Sequence, residues 1–224
     1  VTPADPIHPS SFPLHPSLVV FDLGRVLIRI CDGWSHAFEL AGVSVPPERI
    51  DAAIRARLHE GVALVETGQT DVADFCKHIA TVLDIPCEDV TRMWRGYTLG
   101  PFPGAADLID DLHAAGVATA CLSNTNAEHW RVLIDPADPH GQALGKLQHQ
   151  FASHLVRARK PDAEIYAHLE RATGFAPGQI IFFDDVLENV EAARARGWRA
   201  HLVERSENPI PSIRLQLRDD GVLP

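Results

Sequence analysis

The sequence predicts an α/β protein: a parallel sheet with helices on both faces, and a small α-helical segment inserted after the first strand. Three observations carry this. Beyond Pro103-Gly104, short apolar runs alternate with helical spacings, the pattern of a parallel sheet wrapped by its crossovers. Between Gly33 and about Tyr97 the apolar residues recur at helical intervals and no convincing strand interrupts them. Finally, polar clusters stand directly after three of the apolar runs.

Taken in order, residues 18–21 (Leu-Val-Val-Phe) read as a buried strand stopped by Asp22-Leu23-Gly24. Within the insertion, Ile50, Ala53, Ile54 and Leu58 mark one helix and Phe75, Ile79, Val82 and Leu83 another, with breaks at residues 42–47, Gly68 and Pro86. Residues 105–115 read as a helix ended by Gly116, and 117–122 as a strand. Thr125-Asn126-Ala127-Glu128 has the capping-box pattern that opens a helix. Residues 151–156 form a weaker strand pattern, and Pro161 opens a helix that stops near Gly174. Ile180-Ile181-Phe182-Phe183 is a wholly apolar strand, 186–196 a helix closed by Gly197, and 199–203 the last clear strand.

The chain has 224 residues, room for one α/β core and a small accessory unit. Its 20 basic and 30 acidic residues give a net charge of -10, which argues against non-specific binding to nucleic acid or anionic lipid. No apolar run is long enough to span a bilayer. Residues 1–16, with Pro3, Pro6, Pro9, Pro13 and Pro16 and no basic start, read as an extended arm and not as a leader, so a cytoplasmic protein is expected. The cysteines, Cys31, Cys76, Cys87 and Cys121, make no Cys-x-x-Cys pair and no zinc spacing, and are expected to be free thiols. The 12 histidines show no His-x-x-x-His spacing and receive no metal role.

The chemistry collects after the strands. In an open parallel sheet the carboxyl ends of strands share one edge, where ligands bind, so Asp22-Leu23-Gly24, Ser123-Asn124-Thr125-Asn126 and Asp184-Asp185 are expected to converge. Asp22 alone is also compatible with a strand terminator. Two adjacent carboxylates at a buried strand end repel each other and resist ionisation, and a divalent cation such as magnesium relieves both penalties. The competing reading, Asp185 as the cap of the next helix, needs only one carboxylate. Asn189, four residues on, either orients the acidic pair or is a surface amide. Ser123 and Asn124 precede a helix N-terminus, which favours an anion, though a plain turn uses the same residues. Lys160 can hold a phosphate as a point charge, or be a solvated surface lysine. Arg157 and Arg159 are expected at the surface. Trp34, Trp94 and Tyr97 flank the insertion, either packing there or lining a pocket.

These residues resemble the haloacid dehalogenase superfamily. Residues 21–27 (Phe-Asp-Leu-Gly-Arg-Val-Leu) look like its first motif, Leu122-Ser123-Asn124-Thr125-Asn126 its second, Arg159-Lys160-Pro161 its third, and Phe182-Phe183-Asp184-Asp185 with Asn189 its fourth. The wording is similar to a bacterial subgroup that includes an α-glucose-1-phosphate phosphatase. The resemblance implies a Rossmann-like catalytic core over residues 17–32 and 98–224 with a helical cap over 33–97. It implies a phosphatase of small phosphate esters, sugar phosphates favoured, with Asp22 forming an aspartyl-phosphate. Mg2+ would be held by Asp22, the Gly24 carbonyl and Asp185 with Asp184 nearby. Ser123, Asn124 and Lys160 would hold the phosphoryl group.

One position departs from the family pattern. Its phosphatases usually carry a second aspartate, a general acid and base, two residues after the nucleophile, and Gly24 stands there. Asp32, His36, His59 and Glu66 are candidates to replace it. Arg25 also differs, and is expected to meet substrate or pair with the cap. Two other readings compete: a metal-free 2-haloacid dehalogenase, which the Asp184-Asp185 pair opposes, and a phosphate-binding or regulatory protein without turnover, which Gly24 favours.

Overall fold

The first strand sets the architecture. In β1 (Leu18–Phe21) every side chain is buried, because successive residues point to opposite faces and both faces are covered. Val19 and Phe21 join one apolar cluster, while Leu18 and Val20 join another. The structure, a computed structural model, describes residues 17–46, 49–135, 137–139 and 141–224. The arm expected over 1–16 lies outside them.

After β1 come β2 (Ile28–Ile30), four helices α1 (Trp34–Leu40), α2 (Ala52–Glu66), α3 (Val72–Leu83) and α4 (Cys87–Arg95), and β3 (Thr98–Pro101). There follow α5 (Ala105–Ala114), β4 (Ala118–Ser123), α6 (Ala127–Ile134), α7 (Gly141–Leu144), β5 (His149–Ala152) and α8 (Ser153–Val156). The chain ends with α9 (Ala163–Thr173), β6 (Ile180–Asp184), α10 (Leu187–Ala195), β7 (Arg199–Leu202) and α11 (Ile210–Asp219).

Five strands form a parallel sheet in the order β5-β4-β1-β6-β7. Helices α5, α6, α7 and α11 cover one face and α9 and α10 the other. This is the predicted α/β class, a Rossmann-like sheet between helical layers. The order reverses beside β1: the chain first builds outward through β4 and β5, then returns to place β6 on the other side. That switch point is where such sheets open a crevice.

The helices α1–α4 bury their own cluster, centred on Phe38, Leu58, Phe75, Ile79, Met93 and Trp94. Asp51 and Asp71 cap α2 and α3, accepting from the backbone N–H groups of Ile54 and Asp74 at 2.8 Å each. Of the residues that mark the helical spacing, Ala53 faces solvent instead of the cluster.

Several expectations are corrected. Residues 151–156 are not one strand: β5 ends at Ala152, and Ser153–Val156 is a short helix whose Ser153 hydroxyl bonds the loop after β4. The α6 cap is Asn126, not Thr125; its Oδ1 accepts from the N–H groups of Glu128 and His129. The β2–β3 hairpin and α11 are further elements. The hairpin pairs segments 70 residues apart, which local pattern does not reveal, whereas Ile210, Ile213 and Leu217 give α11 a readable helical spacing.

Candidate active site

The sheet brings the strand-end carboxylates together by register. Phe21 pairs with Phe183, and the Asp22 N–H donates to the Phe183 carbonyl at 2.8 Å, so Asp22 and Asp184 leave adjacent strands level with one another. Beyond Asp22 the chain turns sharply: the N–H groups of Val26, Leu27 and Ile28 all donate to the Leu23 carbonyl. Arg25 takes a left-handed conformation within this turn, with φ 59°.

Lys160 reaches the same point from the loop between α8 and α9. Its Nζ lies 2.7 Å from Asp22 Oδ1 and 2.7 Å from Asp184 Oδ2, with its side chain only 1% exposed. The solvated-lysine reading is therefore wrong for Lys160. The loop is fixed by Asn124, whose Oδ1 accepts from the Lys160 N–H and whose Nδ2 donates to the Lys160 carbonyl. The Asn124 side chain is thus spent on holding Lys160, and only its backbone remains free for a ligand. Asn189 donates to both oxygens of Asp184, and the Val186 N–H donates to Asp184 Oδ1. Asn189 is therefore buried and orients Asp184, while α10 is met by Asp184 and not capped by Asp185.

Ligand oxygens of Asp22, Asp184 and Asp185 all lie within 4.8 Å of one another. Facing them are Lys160 and Arg25, whose guanidinium stands 3.7 Å from Asp185 and 3.8 Å from Asp32. Burial pushes the Asp22 carboxyl up to about 7; Lys160 pulls it down, and the charges of Asp184 and Asp185 push it up. Asp185 is raised by burial and by Asp184, against Arg25. Burial opposes the charge on Lys160 too, but Asp184 and Asp22 outweigh it and raise the lysine. These directions agree: one ammonium divided between two carboxylates remains charged itself without fully neutralising either.

Next to this cluster opens a cavity of about 310 Å³. Its floor is the sheet edge, at Leu23, Gly24, Ser123 and Asn124. Ser123 is buried at the end of β4. Its wall is aromatic: Trp34 and Trp94 stack with centroids 6.2 Å apart, Tyr97 adjoins Trp94 at 5.9 Å, and all three line the space. The buried Trp94 Nε1 makes no hydrogen bond among the described residues.

Four residues were candidates for the role absent at Gly24. Asp32 is exposed and pairs with Arg25 and Arg205, and His36 accepts from the Asp32 N–H; neither lines the cavity. His59 lines it from an exposed position, and Glu66 lines it with a mostly buried side chain. Arg159, expected at the surface, instead stands 2.9 Å from Glu66 Oε2, while Arg157 is exposed as expected.

Sequence reasoning missed His129. It is buried, lines the cavity and stacks on Trp94 at 4.8 Å. Because Asn126 Oδ1 accepts two backbone bonds, its Nδ2 must donate to His129 Nδ1 at 3.0 Å; His129 Nε2 then donates to the Trp94 carbonyl at 2.7 Å. Burial lowers the His129 pKa, which suits this neutral tautomer. Asn126-x-x-His129 at one helical turn was the available signal, but its partner lies 35 residues away.

Sheet order, switch-point crevice and the acidic cluster with its buried lysine together define a hydrolase site. The chain belongs to the haloacid dehalogenase-like hydrolases, whose family model matches residues 17–197. It is 28% identical over 200 residues to "Phosphatase MT3486" of Mycobacterium tuberculosis, covering 85% of this chain and 88% of that protein. It is also 28% identical over 226 residues to a phosphoglycolate phosphatase of Thiobacillus denitrificans, covering 96% and 94%. A family enzyme of Bacteroides thetaiotaomicron, solved in complex with magnesium and inorganic phosphate, shares the fold with a TM-score of 0.69 at 20% identity, over 86% of this chain and 96% of that one. No helix among the described residues is long and apolar enough to cross a membrane.

Proposed function

We propose that this hydrolase is a magnesium-dependent phosphatase of small phosphate monoesters, with sugar phosphates favoured, and that Asp22 is its nucleophile. The observation that carries the reading is the single buried ammonium of Lys160 set 2.7 Å from both Asp22 and Asp184, within a cluster of three carboxylates. Three carboxylates against Lys160 and Arg25 leave an excess of negative charge, and their oxygen donors suit magnesium. Asp22, Asp185 and the Gly24 carbonyl would hold the ion with Asp184 beside it, since four hydrogen bonds already engage the Asp184 oxygens. When bound, magnesium supplies charge that lessens the repulsion between an anionic nucleophile and an anionic ester.

The residues then divide the work. Asp22 attacks phosphorus, the bond to the leaving oxygen breaks, and water hydrolyses the resulting aspartyl-phosphate. Lys160 neutralises charge on the phosphoryl group while holding Asp22 in line, and Ser123 with the backbone N–H groups after β4 binds the phosphoryl oxygens. Residues 33–97 act as a cap whose aromatic wall receives the leaving group. A sugar 1-phosphate, with its comparatively good leaving group, asks little of the glycine at 24. The phosphatase names of the relatives support the reaction class.

A screen of sugar phosphates, nucleotides and small esters with magnesium tests this. Asp22→Asn is expected to lower turnover by at least about 10³-fold at unchanged folding, and a chelator to abolish it. Equal turnover by wild type and variant, or conversion of a 2-haloacid indifferent to chelator, would overturn the proposal.

A further inference from the structure

We infer that Glu66, at the end of α2, is the general acid and base that protonates the leaving group and then activates water, in place of the side chain missing at Gly24. The inference rests on the phosphatase reading. Among the described residues, Glu66 is the only acidic side chain lining the cavity, which it shares with Gly24, Ser123 and Asn124. Its side chain is 15% exposed, and its Oε2, 2.9 Å from the Arg159 guanidinium, makes no hydrogen bond among the described residues. Its one close polar neighbour is Arg159, adjacent in sequence to Lys160, which ties the carboxyl to the loop that delivers the ammonium.

The backbone around it is built to close. Immediately after α2, Gly68 adopts φ +65°, and a Cβ there would stand 2.7 Å from the His154 carbonyl oxygen. Only glycine allows this approach, which seats the end of α2 against α8, with Glu66 lining the cavity that Gly24 and Ser123 floor. Burial raises the Glu66 pKa, while Arg159 and Lys160 lower it, so the acid form persists nearer to neutrality than for an exposed glutamate. The groups around it are Arg159 and Lys160 in the loop, Tyr97 after α4, His59 on its own helix and His154 on α8.

The step balances. As Asp22 attacks, the phosphorus–oxygen bond breaks and the Glu66 proton passes to the departing alkoxide, leaving an alcohol, an aspartyl-phosphate and a carboxylate. Glu66 then removes a proton from water as it attacks phosphorus; phosphate leaves and both side chains regain their starting forms.

The test compares two esters with magnesium present: glycerol 1-phosphate, whose alkoxide needs a proton, and p-nitrophenyl phosphate, whose phenolate does not. Glu66→Gln should lower kcat/KM, which reports formation of the aspartyl-phosphate, by at least about 100-fold on the alkyl ester and by less than about fivefold on the aryl ester, with melting unchanged. A second measurement needs no variant: in the wild type, the alkyl-to-aryl ratio of kcat/KM should fall as pH rises, since any titration of Asp22 or Lys160 affects both esters and cancels. Equal losses on both esters, no loss on either, a pH-independent ratio, or a wild type active on the aryl ester alone would overturn the assignment. If the wild type hydrolyses neither ester nor any of the wider panel, the phosphatase reading itself fails and the role of Glu66 with it.

Discussion

The sheet edge and the helical wall face each other across one cavity, yet they are built on opposite principles. At the sheet edge the buried charges are held by a network: Asp184 accepts from Lys160, Asn189 and the Val186 N–H, and Asn124 grips both backbone groups of Lys160. Such a network fixes the positions of charges before any ligand arrives, as electrostatic catalysis requires. The wall is mostly aromatic surface, where among the described residues Trp94 Nε1 and Glu66 Oε2 make no hydrogen bond, the latter facing Arg159 at 2.9 Å. On the proposed function the two sides take separate tasks: the saturated side, around Asp184, would carry the reaction, and the unsaturated side would meet what varies between substrates.

The sharpest way to break that contrast is to unsettle the saturated side. Lys160→Met leaves the wholly buried Asp184 without its ammonium, and should cost about 3 kcal/mol in urea unfolding as well as most of the activity. An unchanged midpoint would show that the network is not what holds the edge. Changes to the wall should instead act mainly on substrate binding. Trp34→Ala is expected to raise KM about 10-fold for a sugar phosphate, near 1.4 kcal/mol, with kcat for a small aryl phosphate little changed. A fall in kcat for both would merge the two regions into one function.

Charge gives a third measure. The folded Asp22 titrates at about 7 against 3.8 in the unfolded chain. Between those values the native state binds more protons, so the metal-free protein should lose stability as pH climbs from about 4 to about 7. Asp185 acts in the same direction. Lys160, raised above 10.5, contributes evenly across this window. Magnesium competes with those protons, so its effect on Tm should be a few degrees at pH 8 and close to nil at pH 5, read by calorimetry. A larger gain at pH 5 would exclude these carboxylates as the ion's ligands. The smallest effect is expected from Trp94→Phe: the indole N–H has no partner to lose among the described residues, so the cost should be that of the lost packing alone, about 1 kcal/mol, and a loss beyond about 3 kcal/mol would reveal a contact the wall depends on.

The same contrast explains what could be read from the chain alone. Asp22, Ser123, Asp184 and Asp185 are legible because each directly follows an apolar run, and a parallel sheet places all such ends along one edge. The insertion's helices are legible from spacing, but which residues face the cavity is not, since that depends on how the insertion settles on the core. Arg159 shows the limit: next to Lys160 it reads as a surface charge, and only the approach at Gly68 reveals Glu66 beside it. Likewise Asn124 reads as a ligand for anions, whereas its side chain is committed to Lys160, 36 residues away. The β2–β3 hairpin escapes because three residues carry too little periodicity to distinguish a strand.

The chain of bonds from Asn126 through His129 to the Trp94 carbonyl crosses from the hydrolytic half of the molecule into the inserted half. Its members are buried, so exchanging the insertion for one from a cousin would strand an imidazole without its acceptor. Modularity here has a seam with a fixed connector. A chimera that keeps position 129 but alters the turn around Trp94 should express poorly, and grafting succeeds best when these three residues travel together.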